Sequence, residues 1–325
     1  MSTYDQIIDR TGASALIPVQ ESREIIEMIP NESVFLRHAV RMPDMTSKQT
    51  SVPVMAGDVD AYFVNGDNGL KQTSKMSWDK VFINAEELAV IVPIPEAVLD
   101  DSSYDIWAQV RPRIAAAFAR KIDQAALFST DKPTSWPVGL VAGAIAANQS
   151  VKHSKTATGS DLYTELFGEG GVVSLVEDKG LPVNTFIGSV KTKSMLRGAQ
   201  DLNGQPIFTP AYSNGSGSAF RDAIAGVGVE FVDPRVWDDT TGLLLAGDFS
   251  LVRYAMRQDI SYKLLTEATI TNASGEVVYN LAQMDMVALR AVMRIGWALP
   301  KPFNTHTGQG ADSYYPFAVL EPAGE

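Results

Sequence analysis

The sequence predicts an α+β chain, and three stretches carry that expectation. Between Ser102 and Ser129 the residues Trp107, Val110, Ile114, Phe118, Ile122 and Ala125 step by three or four, which lays one apolar stripe along a long helix. Between Gly57 and Ile83 two strand-like legs flank the turn-forming pairs Asn65-Gly66 and Asn68-Gly69. From Val287 to Trp297 apolar residues alternate with Arg290, Val292 and Arg294 at the period of a strand.

The helix carries Arg113, Arg120 and Gln124 together on a second face. Asp100, Asp101, Ser102 and Ser103 supply oxygens and charge suited to its free first-turn N–H groups. Pro112 lacks an N–H and disfavours helical geometry at Arg111, so the helix either begins in earnest there or is kinked there.

Composition narrows the class. At 325 residues, 45% apolar and 20% charged, the chain can bury a sizeable core or form two or three lobes. The absence of cysteine excludes disulfides, thiolate metal sites and cysteine nucleophiles, and fits synthesis in a reducing cytoplasm. Met1 to Gln20 holds Asp5, Asp9 and Arg10 with no apolar core, and no later run approaches the roughly 18 apolar residues of a bilayer span. Neither a standard signal peptide nor membrane insertion is expected. Lys and Arg number 27 against 38 Asp and Glu, a net charge of -11, which leaves room for a local basic face but not for nucleic-acid binding by bulk charge.

In chain order, residues 1–37 read as an arm: an extended Ala15 to Val19, a helical turn or two over Glu21 to Met28 ended by Pro30, and a short element from Asn31 to Leu36. Val40 to Val54 is extended, with Pro43 and Pro53 confining it to edge or loop roles. In the hairpin, Asp58 to Val64 is the outgoing leg, and Met76, Trp78, Lys80 and Phe82 alternate with Ser77, Asp79 and Val81 on the return. Legs of about 7 to 13 residues reach roughly 25 to 40 Å, farther than one domain covers, and a lone two-stranded ribbon is marginal in water. A neighbouring molecule is therefore expected to support it. Leu88 to Ile94 is an apolar strand leading into the long helix.

Downstream, helices are expected over Leu162 to Phe167 and Val172 to Lys179, a strand over Val183 to Ile187, and a helix after Ser189. Tyr212 to Ser218 is rich in Ser and Gly. Val227 to Phe231 and Leu243 to Leu245 read as strands, followed by two more through Val252 to Met256 and Ile260 to Leu264. Arg290 and Arg294 are also four apart, which leaves a helix as the alternative for the last element; Gly296 and the unbroken alternation favour a strand. Residues 301–325 form a tail of low pattern.

The search for chemistry is negative. His38, His153 and His306 lie in unrelated segments, without a carboxylate or second histidine at ligand spacing. No Walker loop is present, and Gly226-x-Gly228 lacks a third glycine. Ser77-x-x-Lys80 spells a nucleophile motif, but it lies on a hairpin leg without companion motifs. Asp100-Asp101 and Asp238-Asp239 are accounted for by a helix start and a loop. No enzyme activity, cofactor or metal is expected; an unrelated α+β hydrolase is the remote alternative.

What the residues do carry is a resemblance. The arm with Leu16-Ile17-Pro18 and Ile25-Ile26, the long hairpin, the strand Val90 to Pro95 entering a helix with Lys121-Ile122-Asp123 and Ala126, and the loop Pro137-Val138-Gly139-Leu140 come in a recognisable order. Asn184 to Ser189, Asp201-Leu202-Asn203-Gly204-Gln205-Pro206, Gly247-Asp248-Phe249-Ser250 and the strand Val287 to Trp297 follow. In that order and spacing the chain resembles the major capsid proteins of tailed bacteriophages, with the Hong Kong 97-type fold. The bacterial encapsulin-type nanocompartment shell shares this fold and is the nearer alternative.

The resemblance implies an N-terminal arm (1–37), an extended loop (57–83), a discontinuous peripheral domain (38–56, 84–180 and 248–325) with a spine helix at about 102–129, and an axial domain (181–247). It implies a shell subunit that meets many copies of itself in hexamers and pentamers, located in the virion and made in the host cytoplasm. A separate scaffolding protein, a portal, an optional decoration protein and packaged double-stranded DNA are the further partners it implies; no membrane is involved. Tyr62, Lys71, Lys75, Trp78 and Lys80 become candidate intersubunit residues of the hairpin, and Arg113, Arg120 and Lys121 candidate DNA-facing residues, opposed only by Asp123; pairing of the arginines with Glu21, Glu24 or Glu27 of the arm is the equal alternative. The family's founding member joins subunits by a Lys–Asn isopeptide bond assisted by a Glu. Here Asn280 lies near the matching place but Val287 stands where the Glu is wanted, so cross-linking is not expected.

Overall fold

The computed structural model describes residues 33–64, 71–102, 105–154, 159–210, 222–272 and 274–323. Most of the expected arm, the two Asn-Gly turns of the hairpin, Ser103 and the Ser/Gly-rich stretch 212–218 lie outside the described residues. From Ser33 the chain forms α1 (Val34–His38), β1 (Val40–Arg41), β2 (Gln49–Gly57), β3 (Ser77–Asn84), β4 (Glu86–Pro95), α2 (Glu96–Asp101) and α3 (Ile106–Phe128). Next come α4 (Leu140–Ala146), β5 (Ser150–Lys152), α5 (Gly159–Phe167), α6 (Val172–Glu177), β6 (Thr185–Ser189), α7 (Thr192–Arg197), β7 (Phe208–Thr209), β8 (Ala223–Ile224), β9 (Val227–Val232) and β10 (Leu244–Gly247). The last strands are β11 (Arg253–Leu265), β12 (Thr269–Thr271), β13 (Val277–Asn280), β14 (Met286–Ala298) and β15 (Phe317–Glu321).

Helix α3 is the expected long helix, starting later than the sequence suggested. Asp105 caps it by accepting the Ala108 N–H at 3.1 Å, while Asp100 and Asp101 close the separate helix α2, whose C-cap Ser102 is extended. Pro112 sits inside the helix with Arg111 and Arg113 on its exposed side, where the ladder tolerates a missing donor best. At the other end Ser129 takes a left-handed φ of 64° and returns its N–H to Ala125. Gly139 packs so closely on this terminus that a Cβ would lie 2.7 Å from the Leu127 carbonyl oxygen. Ile114, Phe118, Ile122 and Ala125 of the apolar stripe are buried; Trp107 and Val110 are half-buried.

Two sheets flank this helix. The first has the order β1-β11-β14-β4, with β1 parallel to β11 and the other pairs antiparallel. Strand β14 shows the expected alternation: Val287, Leu289, Ala291, Met293, Ile295 and Trp297 are buried and Arg290 is exposed. The expected pair of strands at 252–264 is one strand, β11, whose register shifts around Gln258 explain the interruption of its apolar period.

The second sheet has the order β5-β15-β10-β6-β9-β8-β7. One face shares a core with α3 through Ile187, Leu245, Phe317 and Val319. The other packs Phe186, Leu244, Ala246, Ala318 and Leu320 against Leu162, Leu166, Val172, Val176 and Leu196 of helices α5, α6 and α7. Strand β15 corrects the reading of 301–325 as a patternless tail. Phe317, Ala318, Val319 and Leu320 are each 0% exposed. A strand buried on both faces has no alternation to reveal it.

The hairpin is also shifted. Its stem pairs β2 with β3 from Gln49↔Asn84 to Gly57↔Ser77, so the outgoing strand is Gln49–Gly57 and Asp58 to Val64 is not strand. Side chains in that segment bond to local backbone instead of leaving it for a ladder. Asp58 accepts the Val59 N–H at 2.8 Å, Ser74 Oγ accepts the Asp60 N–H at 2.8 Å, and the Tyr62 hydroxyl donates to the Gln72 carbonyl at 3.0 Å.

Candidate functional site

The stem of the hairpin has one satisfied face and one bare face. Val52, Val81 and Ile83 gather with Met42, Met45, Ala85, Ala255 and Ala298 in a small core at its base. On the opposite face of β3 stand Trp78 at 67% exposure, Lys80 and Phe82 at 50%. Beyond the stem, Val59 is 58% and Phe63 99% exposed, and Tyr62 and Val64 are exposed at 44% and 41%. Scattered apolar residues on a surface mean little, but here several large ones share one ribbon. Lys71, Lys75 and Lys80 are exposed there and belong to no ion pair among the described residues. Trp78, Lys80 and Phe82 are legible from the period of β3, whereas its partner strand is Gln49–Gly57 and not the expected Asp58 to Val64, and Phe63 carries no such signal.

The polar side of α3 is more engaged than its sequence suggests. Lys121 Nζ pairs with Asp131 at 2.6 Å, and that hydrogen bond and charge hold the Asp131 carboxyl below the usual carboxylate range. Arg111 lies 5.8 Å over the Tyr262 ring. At Asp233, burial is outweighed by bonds from Arg235 and by the charges of Arg235 and Arg120, so its carboxyl is also lowered. Gln124 donates to the Arg235 carbonyl at 2.9 Å. Arg113 is exposed.

Asp123 does not oppose this strip. It is turned into the core, 3% exposed, and accepts hydrogen bonds from Ser33 Oγ and from the Val34 and Phe35 N–H groups at 3.1 and 3.2 Å. The signal available in the sequence was helical position: Asp123 lies four residues before Leu127 and seven after Ala116, both buried.

Val287 is buried in β14 opposite Ile94, while Asn280 is half-buried at the end of β13. A cavity of about 260 Å³ beside α4 and α6 is lined by Gln149, Asp178, Lys179, Lys301, Asp312, Ser313 and Tyr315, and among the described residues no hydrogen bond or ion pair joins Ser313 to these Asp or Lys side chains. Among the described residues no three His, Asp or Glu side chains gather as a metal site, and no helix is long and apolar enough to cross a membrane.

The model of the phage capsid family matches residues 13–303. The chain belongs to the phage capsid family. The major capsid protein of Staphylococcus phage 80alpha is 30% identical over 72% of this chain and 67% of its own length. The probable major capsid protein gp17 of Mycobacterium phage D29 is 24% identical over 83% of this chain and 82% of its own. A solved chain from Microbacterium phage Oxtober96 superposes with a TM-score of 0.78 at 36% identity, covering 98% of this chain and all of that one. The capsid chain of a native GTA particle shares the fold at TM-score 0.62 and 20% identity.

The protein is thus a phage major capsid protein with the Hong Kong 97-type fold, a structural subunit of the virion shell rather than an enzyme. The shell is assembled from many copies of it. The nanocompartment and hydrolase readings fall away, since the relatives are phage capsid proteins.

Proposed function

We propose that this capsid subunit closes an icosahedral shell of hexamers and pentamers around double-stranded DNA by laying its 57–83 hairpin on a neighbouring copy. The observation that carries this reading is the bare apolar face of the ribbon, with Trp78 and Phe82 on the stem and Phe63 beyond it. Large assemblies of this kind bury about 2,000 to 5,000 Å² or more per obligate interface. Tyr62, Lys71, Lys75, Trp78 and Lys80 are the residues assigned to the contact. The arm is proposed at 1–37 and the axial domain near 181–247; strands β5 and β15 join the sheet of that domain from the peripheral segments.

Arg113 and Arg120 are proposed to face packaged DNA; Lys121 adds less, because Asp131 already balances it. Such contact is weak and sequence-blind, resting on neutralised phosphates. A separate scaffolding protein, a portal and an optional decoration protein complete the proposed set of partners, with synthesis in the host cytoplasm. Electron microscopy of the expressed chain beside a variant lacking Val59 to Trp78 tests the central claim. The full chain should form closed shells and the deletion soluble, folded small species. Normal shells from the deletion would reject the assignment of the hairpin.

A further inference from the structure

Helix α1 is held at both ends by side chains from elsewhere in the fold. At its start, Asp123 of α3 accepts the Val34 and Phe35 N–H groups and the Ser33 hydroxyl, and Ser33 Oγ in turn accepts the Leu36 N–H at 3.1 Å. One carboxylate and one hydroxyl therefore satisfy the first-turn donors of a helix of only 5 residues. A helix so short has no stability of its own. It depends on that carboxylate and on Phe35, which is fully buried and edge-on to Trp297 at 5.2 Å between ring centres. At the far end Arg37 pairs with Glu230 at 3.0 Å, and His38 Nε2 lies 3.8 Å from the other Glu230 oxygen.

The charges around Asp123 are few. Arg37 on α1 acts on it at a distance, and Lys121 on its own helix is engaged with Asp131. No Lys, Arg or His comes within ion-pair distance of it among the described residues. A carboxylate enclosed without a counter-ion is costly to keep charged, even when hydrogen-bonded.

We propose that Asp123 is a proton-operated latch: taking up a proton tightens the docking of α1 on α3, and with it the point at which residues 1–32 join the fold. Burial pushes the Asp123 carboxyl up to about 6, against the hydrogen bonds from Ser33, Val34 and Phe35 and the charge of Arg37, which pull it down. The docked value lies above that of a solvated aspartate, about 3.9, so the docked state binds the proton more tightly. Docking is strongest below about pH 4 and weakens as pH rises through about 6, an overall change of about tenfold between pH 5 and pH 7.5. His38 and Glu230 need their own control, because protonating His38 would strengthen the far end in the same direction.

The test is amide hydrogen exchange of the full-length protein at pH 5 and pH 7.5, corrected for the intrinsic pH dependence of exchange. Protection of the Val34, Phe35 and Leu36 amides should be about tenfold greater at pH 5. Asp123→Asn should abolish the difference and His38→Gln should keep it. Ser33→Ala removes a bond that favours the charged carboxylate, so it should keep the response and move its midpoint upward. Equal protection at both pH values, an unchanged response in Asp123→Asn, or its loss in His38→Gln overturns the latch. If Asp123→Asn does not fold, a midpoint that stays or falls in Ser33→Ala overturns it equally.

Discussion

Replacing Trp78 with Ala separates the role of the hairpin in assembly from any role in the fold. Trp78 is 67% exposed on the bare face of β3, opposite the face that packs Val81 and Ile83. A tryptophan presents about 250 Å² at most, so roughly 170 Å² is left for a neighbour to cover. At about 25 cal/mol per Å² that is about 4 kcal/mol per contact, and ordering losses on association reduce it to about 2–4 kcal/mol. Trp78→Ala should therefore raise the concentration needed for shell formation by about one and a half to three decades, while the melting temperature of the unassembled subunit changes by a degree or two at most. Light scattering across a concentration series reads the first quantity and calorimetry of the subunit the second. Unchanged assembly would remove Trp78 from the contact. A large fall in subunit stability would place its side chain in a packed environment within the chain and refute the reasoning from exposure.

Boiled, reduced shells should run as one band near the 35.1 kDa of a single chain, because cysteine is absent and the resemblance implies Val287 where an acidic catalyst would be wanted; a ladder of multiples would reverse that reading. Arg113→Gln with Arg120→Gln should leave assembly intact and lower the salt or heat tolerance of full shells relative to empty ones. Equal losses in both would assign the two arginines to structure. Leu320→Ala, at a fully buried position of β15, should destabilise the subunit by about 2–5 kcal/mol in denaturant titration. A loss below about 1 kcal/mol would show that β15 is dispensable to the sheet.

Elements with one buried face were the legible ones. Helix α3 and strand β14 each repeat apolar residues at their own period because solvent lies on the other side. Strand β15 offered no such contrast, being apolar on both faces between β5 and β10. The hairpin stem was misplaced by one leg because Asp58, Ser74 and Tyr62 bind nearby backbone, and residue-type preferences do not show where a ladder gives way to such bonds. At the candidate surfaces, Trp78 was visible from alternation, whereas Lys121 and Asp123 were not assignable. Their partners are Asp131, beyond the helix end, and Ser33, which is 90 residues away in sequence.

The position of β15 has a consequence for synthesis. Of the seven strands in its sheet it leaves the ribosome last, yet it lies inside the sheet, parallel to β5 and antiparallel to β10. Until Phe317 to Glu321 emerges, β10 presents an open edge and β5 has no partner in that sheet. An open edge of this kind is a template for pairing with other chains. A chain cut short before Phe317 keeps that edge of β10 unpaired and leaves β5 without its partner strand.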